Sequence, residues 1–432
     1  MSTASLFMPF TAHGKFKASP RMLERAAGVF YQAQDGRSIL DAVSGLWCVN
    51  IGHGRTMMAE AIARQVSTLD YAPMFQMGHS TGFAYADRLL EFAPKGFGRV
   101  FLVNSGSEAV DTALKLALKF HKMRGEGQRS RLVGRERSYH GVGFGGISVG
   151  GMAANRKDFG PLLPGIDHLP HTHGLSENLF SRGQPPGGAY LADALERIVQ
   201  LHDASTIAAV IVEPVAGSAG VLVPPVGYLE RLREITKKHG ILLIFDEVIT
   251  GFGRLGSSFA ADRMGVVPDM IVTAKAITNG TIPMGGVLIN SEMLETFKNT
   301  PADQIDFYHG YTASAHPVAC AAASVVLDAI EDEELLERAK KLEDCLEQSI
   351  HKLRGHPLVH DIRNFGLMGA VELTPDAVAG RRGLEVLQAC FNKGVLVRAT
   401  GDTIALAPAL VSEAKHIDMA VGVLDGVLTS LE

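Results

Sequence analysis

The chain has 432 residues, of which 46% are hydrophobic and 20% charged, and its formal net charge is −5. This length allows large hydrophobic cores and predicts two or three domains, whereas the mild charge without a basic stripe argues against a nucleic-acid partner. The four cysteines are far apart and lack C-x-x-C spacing, which indicates free thiols in a reducing compartment rather than a disulfide framework or a metal cage.

The N-terminal 50 residues are predicted to be irregular, apart from one β-hairpin around residues 29–40 with its turn at Gln34, Asp35 and Gly36. The first ten residues, MSTASLFMPF, lack the charged region and the long apolar region of a signal peptide. No apolar run in the chain reaches about 18 residues, the length needed to span a bilayer. We therefore expect a cytoplasmic protein that has no membrane partner.

Short apolar runs alternate with helical stretches over residues 52–307. The runs that we interpret as strands are residues 99–103, 208–212, 241–245 and 270–273. This alternation predicts an α/β fold in which helices cover a parallel or mostly parallel sheet. One helix is predicted over residues 228–239, because Leu229, Leu232 and Ile235 recur at helical spacing and Gly240 is a C-terminal signal.

The C-terminal part of the chain has a different pattern. Two helical stretches, residues 317–330 and 333–353, lead into two short predicted strands at residues 362–373 and 394–407. These elements predict a smaller α+β domain that begins near residue 315. Residues 183–188, which are rich in glycine and proline, are predicted to form a loop.

A carboxylate and a lysine each follow one of the predicted strands. Asp246 comes directly after residues 241–245, and Lys275 follows residues 270–273 and precedes the glycine-rich residues 279–286. Ligands bind at the carboxyl ends of strands in open α/β sheets, where a carboxylate could hold a protonated ring nitrogen and a desolvated lysine could form a Schiff base. Each residue alone also fits a plainer role, an N-cap or surface ion pair for Asp246 and a solvated side chain for Lys275.

Residues 104–108, Asn-Ser-Gly-Ser-Glu, lie between the strand 99–103 and a helix predicted over residues 109–122. A Ser/Gly turn at a helix N-terminus presents backbone N–H groups and hydroxyls to an anion, so a phosphate fits there. The alternative is an ordinary capping box, with Ser105 as N-cap and Glu108 three residues later. The local sequence leaves both open, although it matches neither the P-loop nor the G-x-G-x-x-G fingerprint.

Aromatic and imidazole side chains form two further clusters. Tyr139, in the motif Tyr-His-Gly, could stack on a planar cofactor or could equally be a core tyrosine. His168, His171 and His173 are the densest histidines, but they lack the helical H-E-x-x-H pattern and a paired carboxylate. We therefore predict no metal site.

In this order and spacing, the motifs are specific to one family. Residues 246–254, Asp-Glu-Val-Ile-Thr-Gly-Phe-Gly-Arg, followed by Lys275, resemble the signature of class III (subgroup II) aminotransferases of pyridoxal-phosphate fold type I. The motifs at residues 104–109, 139–141, 212–214 and 310–312 also resemble that class. The resemblance implies a large cofactor-binding domain with a mostly parallel seven-stranded sheet (51–314), a smaller α+β domain (315–432), and an N-terminal segment (1–50) joined to the small domain.

Within the class, the chain looks closest to the ω-amino acid (β-alanine):pyruvate aminotransferases, the ω-transaminases. The stretches that carry this likeness are residues 44–47, 67–71, 201–205, 277–280, 309–322 and 361–364. The likeness implies ping-pong transfer of an amino group from an ω-amino acid or primary amine to pyruvate, giving an aldehyde or ketone and L-alanine. Three alternatives stay open: transamination with another acceptor, a decarboxylase or aminomutase of the same class, and a non-enzymatic binding protein.

The family resemblance also implies pyridoxal 5'-phosphate as cofactor and a homodimer or tetramer with shared active sites. Its cofactor-binding positions correspond here to Ser105, Gly106 and Ser107 at the phosphate, Tyr139 and Val248 on the ring faces, His140 and Glu213 nearby, Asp246 at the ring nitrogen, Lys275 as the catalytic Schiff-base residue, and Thr312 at the phosphate of the neighbouring subunit.

Substrate recognition is assigned by the same resemblance. Arg398 matches the arginine that pairs with the substrate carboxylate and swings away for uncharged substituents, and a guanidinium suits that task. Trp47, Phe75 and Tyr139 are expected to line the pocket with aromatic surface. Residues 216–218, Ala-Gly-Ser, replace the Gln-Gly-Glu typical of ornithine and 4-aminobutyrate members, so the glutamate partner of a switch arginine is absent.

Overall fold

The structure, a computed structural model, describes residues 5–431. Residues 1–4 and 432 lie outside the described part, including the first residues of the N-terminal stretch and the last residue of the predicted small domain. The helices are α1 His13–Ala18, α2 Ser44–Trp47, α3 Thr56–Thr68, α4 Ser80–Phe92, α5 Gly106–Met123, α6 Phe144–Val149, α7 Ala194–His202, α8 Tyr228–His239, α9 Ala260–Met264, α10 Ser291–Phe297, α11 Pro317–Asp332, α12 Leu335–His351, α13 Arg381–Asn392 and α14 Ala414–Thr429.

The strands of the described chain form three sheets. They are β1 Leu23–Ala27, β2 Phe30–Ala33, β3 Ser38–Asp41, β4 Phe97–Val103, β5 Arg131–Arg135, β6 Ile166–Leu169, β7 Ile207–Val212, β8 Leu242–Asp246, β9 Met270–Thr273, β10 Gly285–Asn290, β11 Val359–Phe365, β12 Met368–Leu373, β13 Val395–Leu396, β14 Arg398–Thr400 and β15 Thr403–Leu406. The largest sheet has seven strands in the order β4-β10-β9-β8-β7-β5-β6. Only β10 runs antiparallel to its neighbours, which confirms the predicted mostly parallel sheet.

Strands β7, β8 and β9 are buried on both faces and form the centre of this sheet. Their side chains alternate between two hydrophobic clusters, one that includes Leu229 and Leu232 of α8 and another that includes Val110 and Ala113 of α5. Burial of each large side chain contributes about 1.5–3 kcal/mol, so the two layers hold the strand ends in place. The predicted helix 228–239 is confirmed as α8, and Gly240 caps it with a φ of 63°.

The two smaller sheets are formed by strands that come before β4 or after β10 in the sequence. The predicted N-terminal hairpin is confirmed as β2 and β3, and β3 pairs in parallel with β13 from the C-terminal region. This pairing joins the two ends of the chain in one sheet of order β1-β2-β3-β13. The predicted domain boundaries at residues 50 and 315 stay a prediction.

Two C-terminal segments contain more strands than predicted. Residues 362–373 form parts of the hairpin β11–β12 rather than one strand, because Gly366 turns the chain with a φ of 58° where a Cβ atom would lie 2.6 Å from the Cα of Leu255. Residues 394–407 contain β13, β14 and β15, with a second turn at Gly401, whose φ is 56°. The third sheet has the order β11-β12-β15-β14.

The loop predicted at residues 183–188 is confirmed, since these residues lie between β6 and α7 without strand or helix. Within residues 5–431, no helix combines the length and apolar character needed to cross a bilayer.

Candidate active site

A cavity of about 300 Å³ opens where the carboxyl ends of β8 and β9 meet the N-terminus of α5. The sequence-predicted residues that line it are Ser105, Gly106, Ser107, Tyr139, His140, Glu213, Asp246, Val248 and Lys275. Its size lies at the lower end of the range for small-molecule and cofactor pockets. The fold therefore brings together residues from five separate stretches of the sequence.

One wall of the cavity is the turn at the start of α5. The side chain of Ser105 accepts a hydrogen bond from the backbone N–H of Glu108 (3.2 Å), while the Glu108 carboxylate accepts from the backbone N–H of Asn104 (2.7 Å). The cap is therefore present, yet the first N–H groups of the helix still have no intrahelical acceptor. A Cβ atom at Gly106 would lie 3.2 Å from the Val248 side chain, so glycine keeps the space between the helix N-terminus and Val248 free. The turn can serve as both cap and anion site.

A glycine also brings the Tyr139–His140 segment close to this turn. Gly141 has a φ of 89°, and a Cβ atom there would lie 2.5 Å from the Oγ of Ser107. The Ser107 hydroxyl accepts a hydrogen bond from the backbone N–H of Val142 (3.0 Å). These contacts place the aromatic residue Tyr139 over the same cavity as the helix N-terminus.

Lys275 begins a 3-10 turn directly after β9, with a φ of 50° in the left-handed region. A non-glycine residue in that region carries backbone strain, which is common at functional sites. Burial lowers the pKa of the Lys275 ammonium, and the nearby carboxylates of Asp246 and Glu213 oppose that effect. A lysine with a lowered pKa has more of the neutral amine that acts as a nucleophile.

Asp246 is the last residue of β8 and is held from two sides. Its Oδ2 lies 2.8 Å from the Nδ1 of His140, and its Oδ1 accepts a hydrogen bond from the backbone N–H of Val248 (3.1 Å). Because a carboxylate only accepts, the His140 proton is assigned to Nδ1. The buried Nε2 of His140 has no hydrogen-bond partner among the described residues. Asp246 is thus a fixed, buried anion at the cavity wall.

Glu213 is a second buried carboxyl group in this cavity. Its Oε1 accepts a hydrogen bond from the backbone N–H of Tyr139 (2.9 Å), so it also supports the aromatic wall. Burial raises the pKa of Glu213 to about 7, with His140 lowering it and Asp246 raising it further. Below about pH 7, Glu213 is therefore mostly neutral, and this limits the negative charge beside Asp246.

Four sequence-predicted residues do not line the cavity of a single chain. Trp47 is buried in a hydrophobic cluster at the end of the kinked turn α2, with a φ of 63°. Arg398 is exposed in β14, although its charge interacts with Tyr139 and Lys275. Phe75 is 57% exposed, and the exposed Thr312 accepts a hydrogen bond through its carbonyl from the Tyr71 hydroxyl (2.9 Å).

Several cavity residues were not singled out from the sequence. They are Val110, Ile249, Thr278, Gly280, Ile282, Pro283 and Met284. The glycine-rich stretch 279–286 was the one available signal for four of them. Cys48 lies behind the lining residue Gly280: a Cβ atom at Gly280 would lie 2.9 Å from its Sγ, and burial raises the pKa of this thiol.

Of the three histidines at residues 168–173, His173 belongs to a network of ion pairs. The Nε2 of His173 lies 3.0 Å from the Glu372 carboxylate, and Arg363 binds both Glu372 (2.6 Å) and Asp361 (2.8 Å). His173, Asp361 and Glu372 lie close enough to hold a metal ion. The guanidinium already pairs with both carboxylates, so the geometry is that of an ion-pair network, and the absence of a metal site stays a prediction.

Comparisons with known proteins identify the family. A model of the class-III aminotransferases matches residues 12–428. The omega-aminotransferase of Caulobacter vibrioides is 54% identical over 429 residues (99% of this chain, 98% of the relative), and the beta-alanine--pyruvate aminotransferase of Pseudomonas aeruginosa is 46% identical over 417 residues (95% and 92%). The crystal structure of a PLP-bound amine transaminase from an uncultivated Pseudomonas species has a TM-score of 0.93 at 35% identity and covers 100% of both chains. The predicted resemblance and fold class are thereby confirmed, and the chain belongs to the class III aminotransferase family, with the fold type I architecture of a large, mostly parallel sheet and a smaller domain.

Proposed function

We propose that this protein transfers an amino group from an ω-amino acid such as β-alanine, or from a primary amine, to pyruvate, with pyridoxal 5'-phosphate as its cofactor. The products are an aldehyde or ketone and L-alanine. The observation that carries the proposal is the meeting of Lys275, Asp246 and the α5 turn around one cavity. The names of the relatives that share nearly the whole length support the acceptor and the donor class.

The residues of the cavity fit pyridoxal phosphate. The α5 turn offers N–H groups to a phosphate, Asp246 offers a fixed carboxylate to a ring nitrogen, and Lys275 offers an amine with a lowered pKa. Because residue 106 is glycine, the space between the α5 turn and Val248 stays open, and a side chain at this position would fill it. The roles of Tyr139 and Val248 at the two ring faces belong to the same proposal.

The bound cofactor supplies a carbonyl carbon that takes up the amino group and a ring that delocalises the electron pair left on the substrate carbon. Lys275 would hold the cofactor through Nζ and would move a proton at Nζ as general acid and base once the substrate amine is bound. Asp246 keeps a proton on the ring nitrogen, and His140 and the Val248 N–H group hold the carboxylate in place.

Arg398 is the proposed partner of the substrate carboxylate. It lies on the short strand β14 with an exposed side chain. We propose that this side chain turns toward the cavity for a donor with a carboxylate and away from it for an uncharged donor. The nearby stretch 216–218 has no acidic side chain to pair with it when a substrate lacks a carboxylate. Trp47, Phe75 and Tyr139 are proposed as the aromatic surface that accepts the uncharged part of the donor.

The proposal includes a cytoplasmic homodimer or tetramer with shared sites. Phe75 and Thr312 lie on the surface of a single chain, outside its own cavity, as expected of residues that serve a partner. Large apolar side chains near them are also exposed, including Met77 at 67% and Tyr308 at 84%. Large apolar side chains exposed on a single chain are typical of a subunit interface when they cluster, and this is what the proposal assigns to them.

The direct test is a donor screen with pyruvate in which alanine is measured. Wild-type protein should form L-alanine with β-alanine or a primary amine, and Lys275→Ala should abolish turnover. Borohydride reduction should attach the cofactor to Lys275 in wild type only. The matched control is Lys122→Ala, an exposed lysine at the far end of α5, which should behave as wild type. Full turnover by Lys275→Ala, or no alanine with any donor, would contradict the proposal.

A further inference from the structure

His309 lies in the segment between α10 and α11 and uses both ring nitrogens. Its Nδ1 lies 2.8 Å from the Nζ of Lys115, and its Nε2 lies 2.8 Å from the Oγ1 of Thr112. Lys115 and Thr112 both belong to α5, the helix whose first turn faces the cavity. The sequence pattern gave this histidine no role of its own beyond the family resemblance of residues 309–322.

The direction of these hydrogen bonds follows from the chemistry of the groups. An ammonium group only donates, so the Nδ1 of His309 accepts from Lys115, and the ring proton sits on Nε2. The Nε2–H group then donates to Thr112, whose hydroxyl donates to the backbone carbonyl of Glu108 (2.7 Å). Burial lowers the pKa of His309, and the Lys115 charge lowers it further, so the ring favours its neutral form. In that form His309 can accept from Lys115 and donate to Thr112 at the same time.

At one end, this series of hydrogen bonds reaches the turn that lines the cavity. Glu108 belongs to the first helical turn, and its carboxylate accepts hydrogen bonds from both the backbone N–H (2.7 Å) and the side-chain amide (2.9 Å) of Asn104. Asn104 lines the cavity next to Ser105. The first turn of α5 is therefore a fixed anchor for Thr112 and, through Thr112, for His309.

At the other end of this series of hydrogen bonds, His309 belongs to the segment that carries Thr312. The His309 ring stacks on Phe101 with a centroid distance of 5.6 Å and contacts the edge of Tyr311 at 5.1 Å. Thr312 follows Tyr311, and the Tyr71 hydroxyl donates to its carbonyl (2.9 Å). Tyr71 therefore holds the Thr312 carbonyl, and the His309 ring packs against Tyr311, the residue just before Thr312.

We propose that His309 is a positioning residue that ties the segment carrying Thr312 to α5, so that its hydrogen bonds to Lys115 and Thr112 place the hydroxyl that Thr312 offers to the partner's site. The inference rests on the proposed function, because it uses the role assigned to Thr312. His309 itself lies outside the cavity lining, so it acts on cofactor retention through Thr312 and not by contact with the cofactor.

The experiment measures the first-order rate at which the holoenzyme loses pyridoxal 5'-phosphate after dilution into cofactor-free buffer. His309→Phe keeps an aromatic ring against Phe101 but removes both hydrogen bonds, and Lys115→Met removes one of them from an exposed position. Lys122→Met, on the same helix, is the matched control. We expect about tenfold faster release for His309→Phe, a smaller increase for Lys115→Met and the wild-type rate for the control, since loss of one or two hydrogen bonds corresponds to about this factor.

The decisive comparison is made in a Thr312→Ala background. If His309 acts through Thr312, His309→Phe should change the release rate of Thr312→Ala less than about twofold, because the shared effect is already lost. Equal acceleration in both backgrounds, or wild-type release by His309→Phe alone or by Thr312→Ala alone, overturns the inference. Failure of the proposed function is a separate result: wild-type protein would then bind no cofactor that borohydride can fix to Lys275.

Discussion

The Nδ1 of His140 lies 2.8 Å from the Oδ2 of Asp246, and the two residues are 106 positions apart in the sequence. Both side chains are buried, and the second carboxylate oxygen is bound by the Val248 N–H group. This pair keeps a negative charge at the end of β8, in the wall of the cavity that Lys275 also lines. The charge at this position should therefore control the chemistry at the lysine.

Asp246→Asn keeps the size of the side chain and removes its charge. We expect kcat for alanine formation to fall by roughly 10²–10⁴-fold, because an amide cannot hold a proton on the cofactor ring nitrogen. The measurement is kcat with a saturating amine donor and pyruvate. Asp262→Asn, an exposed carboxylate on α9, is the control and should keep wild-type kcat. Unchanged turnover in Asp246→Asn would refute the assigned role.

Glu213 should make the stability of the protein depend on pH. Burial raises its pKa from an ordinary value of 4.5 to about 7, so the folded state favours the neutral form. The corresponding stability is fully present below about pH 4.5 and is lost as the pH rises through about 7. Glu213→Gln keeps an acceptor for the Tyr139 N–H group but does not titrate.

The free energy of unfolding of cofactor-free protein should therefore fall between pH 4.5 and 7 by roughly 1–3 kcal/mol more in wild type than in Glu213→Gln. Urea unfolding of both proteins across this range measures the difference. Glu247, whose pKa burial also raises to about 7, contributes equally to both proteins and cancels. Parallel pH profiles for the two proteins would show that Glu213 does not titrate in this window.

Arg398→Ala should separate the two donor classes. With β-alanine, kcat/KM should fall by roughly 10–100-fold, because one charge-assisted hydrogen-bond pair to the substrate carboxylate is lost. With an uncharged arylalkyl amine, kcat/KM should change less than about threefold. Arg398→Lys keeps the charge without the planar fork and should give an intermediate loss with β-alanine only. An equal loss with both donors would indicate a structural role.

Local chemistry explains the parts of the fold that the sequence predicted well. The end of α8 at Gly240, the hairpin β2–β3 and the buried runs of β7, β8 and β9 depend on residues that are neighbours in the chain. The start of α5 was predicted three residues late, because Ser105 already satisfies the first turn.

The C-terminal strands were harder to predict for a steric reason. Gly366 turns where a side chain would collide with Leu255, a residue more than 100 positions earlier, and no local pattern contains that contact. The pairing of β3 with β13 likewise depends on two segments from opposite ends of the chain. Both features require the packed structure.

The motifs and the strand–helix periodicity were enough to predict the family, the fold class and the residue types that pyridoxal-phosphate chemistry needs, because each of them can be read along the chain. The contacts between these residues depend on how the chain packs: Asp246 meets His140, and Glu213 meets the backbone of Tyr139. It also placed Trp47 in a buried cluster and left Phe75 and Thr312 on the surface of the single chain. Distances between groups far apart in sequence depend on how the layers pack, and that packing sets the burial that lowers the pKa of Lys275.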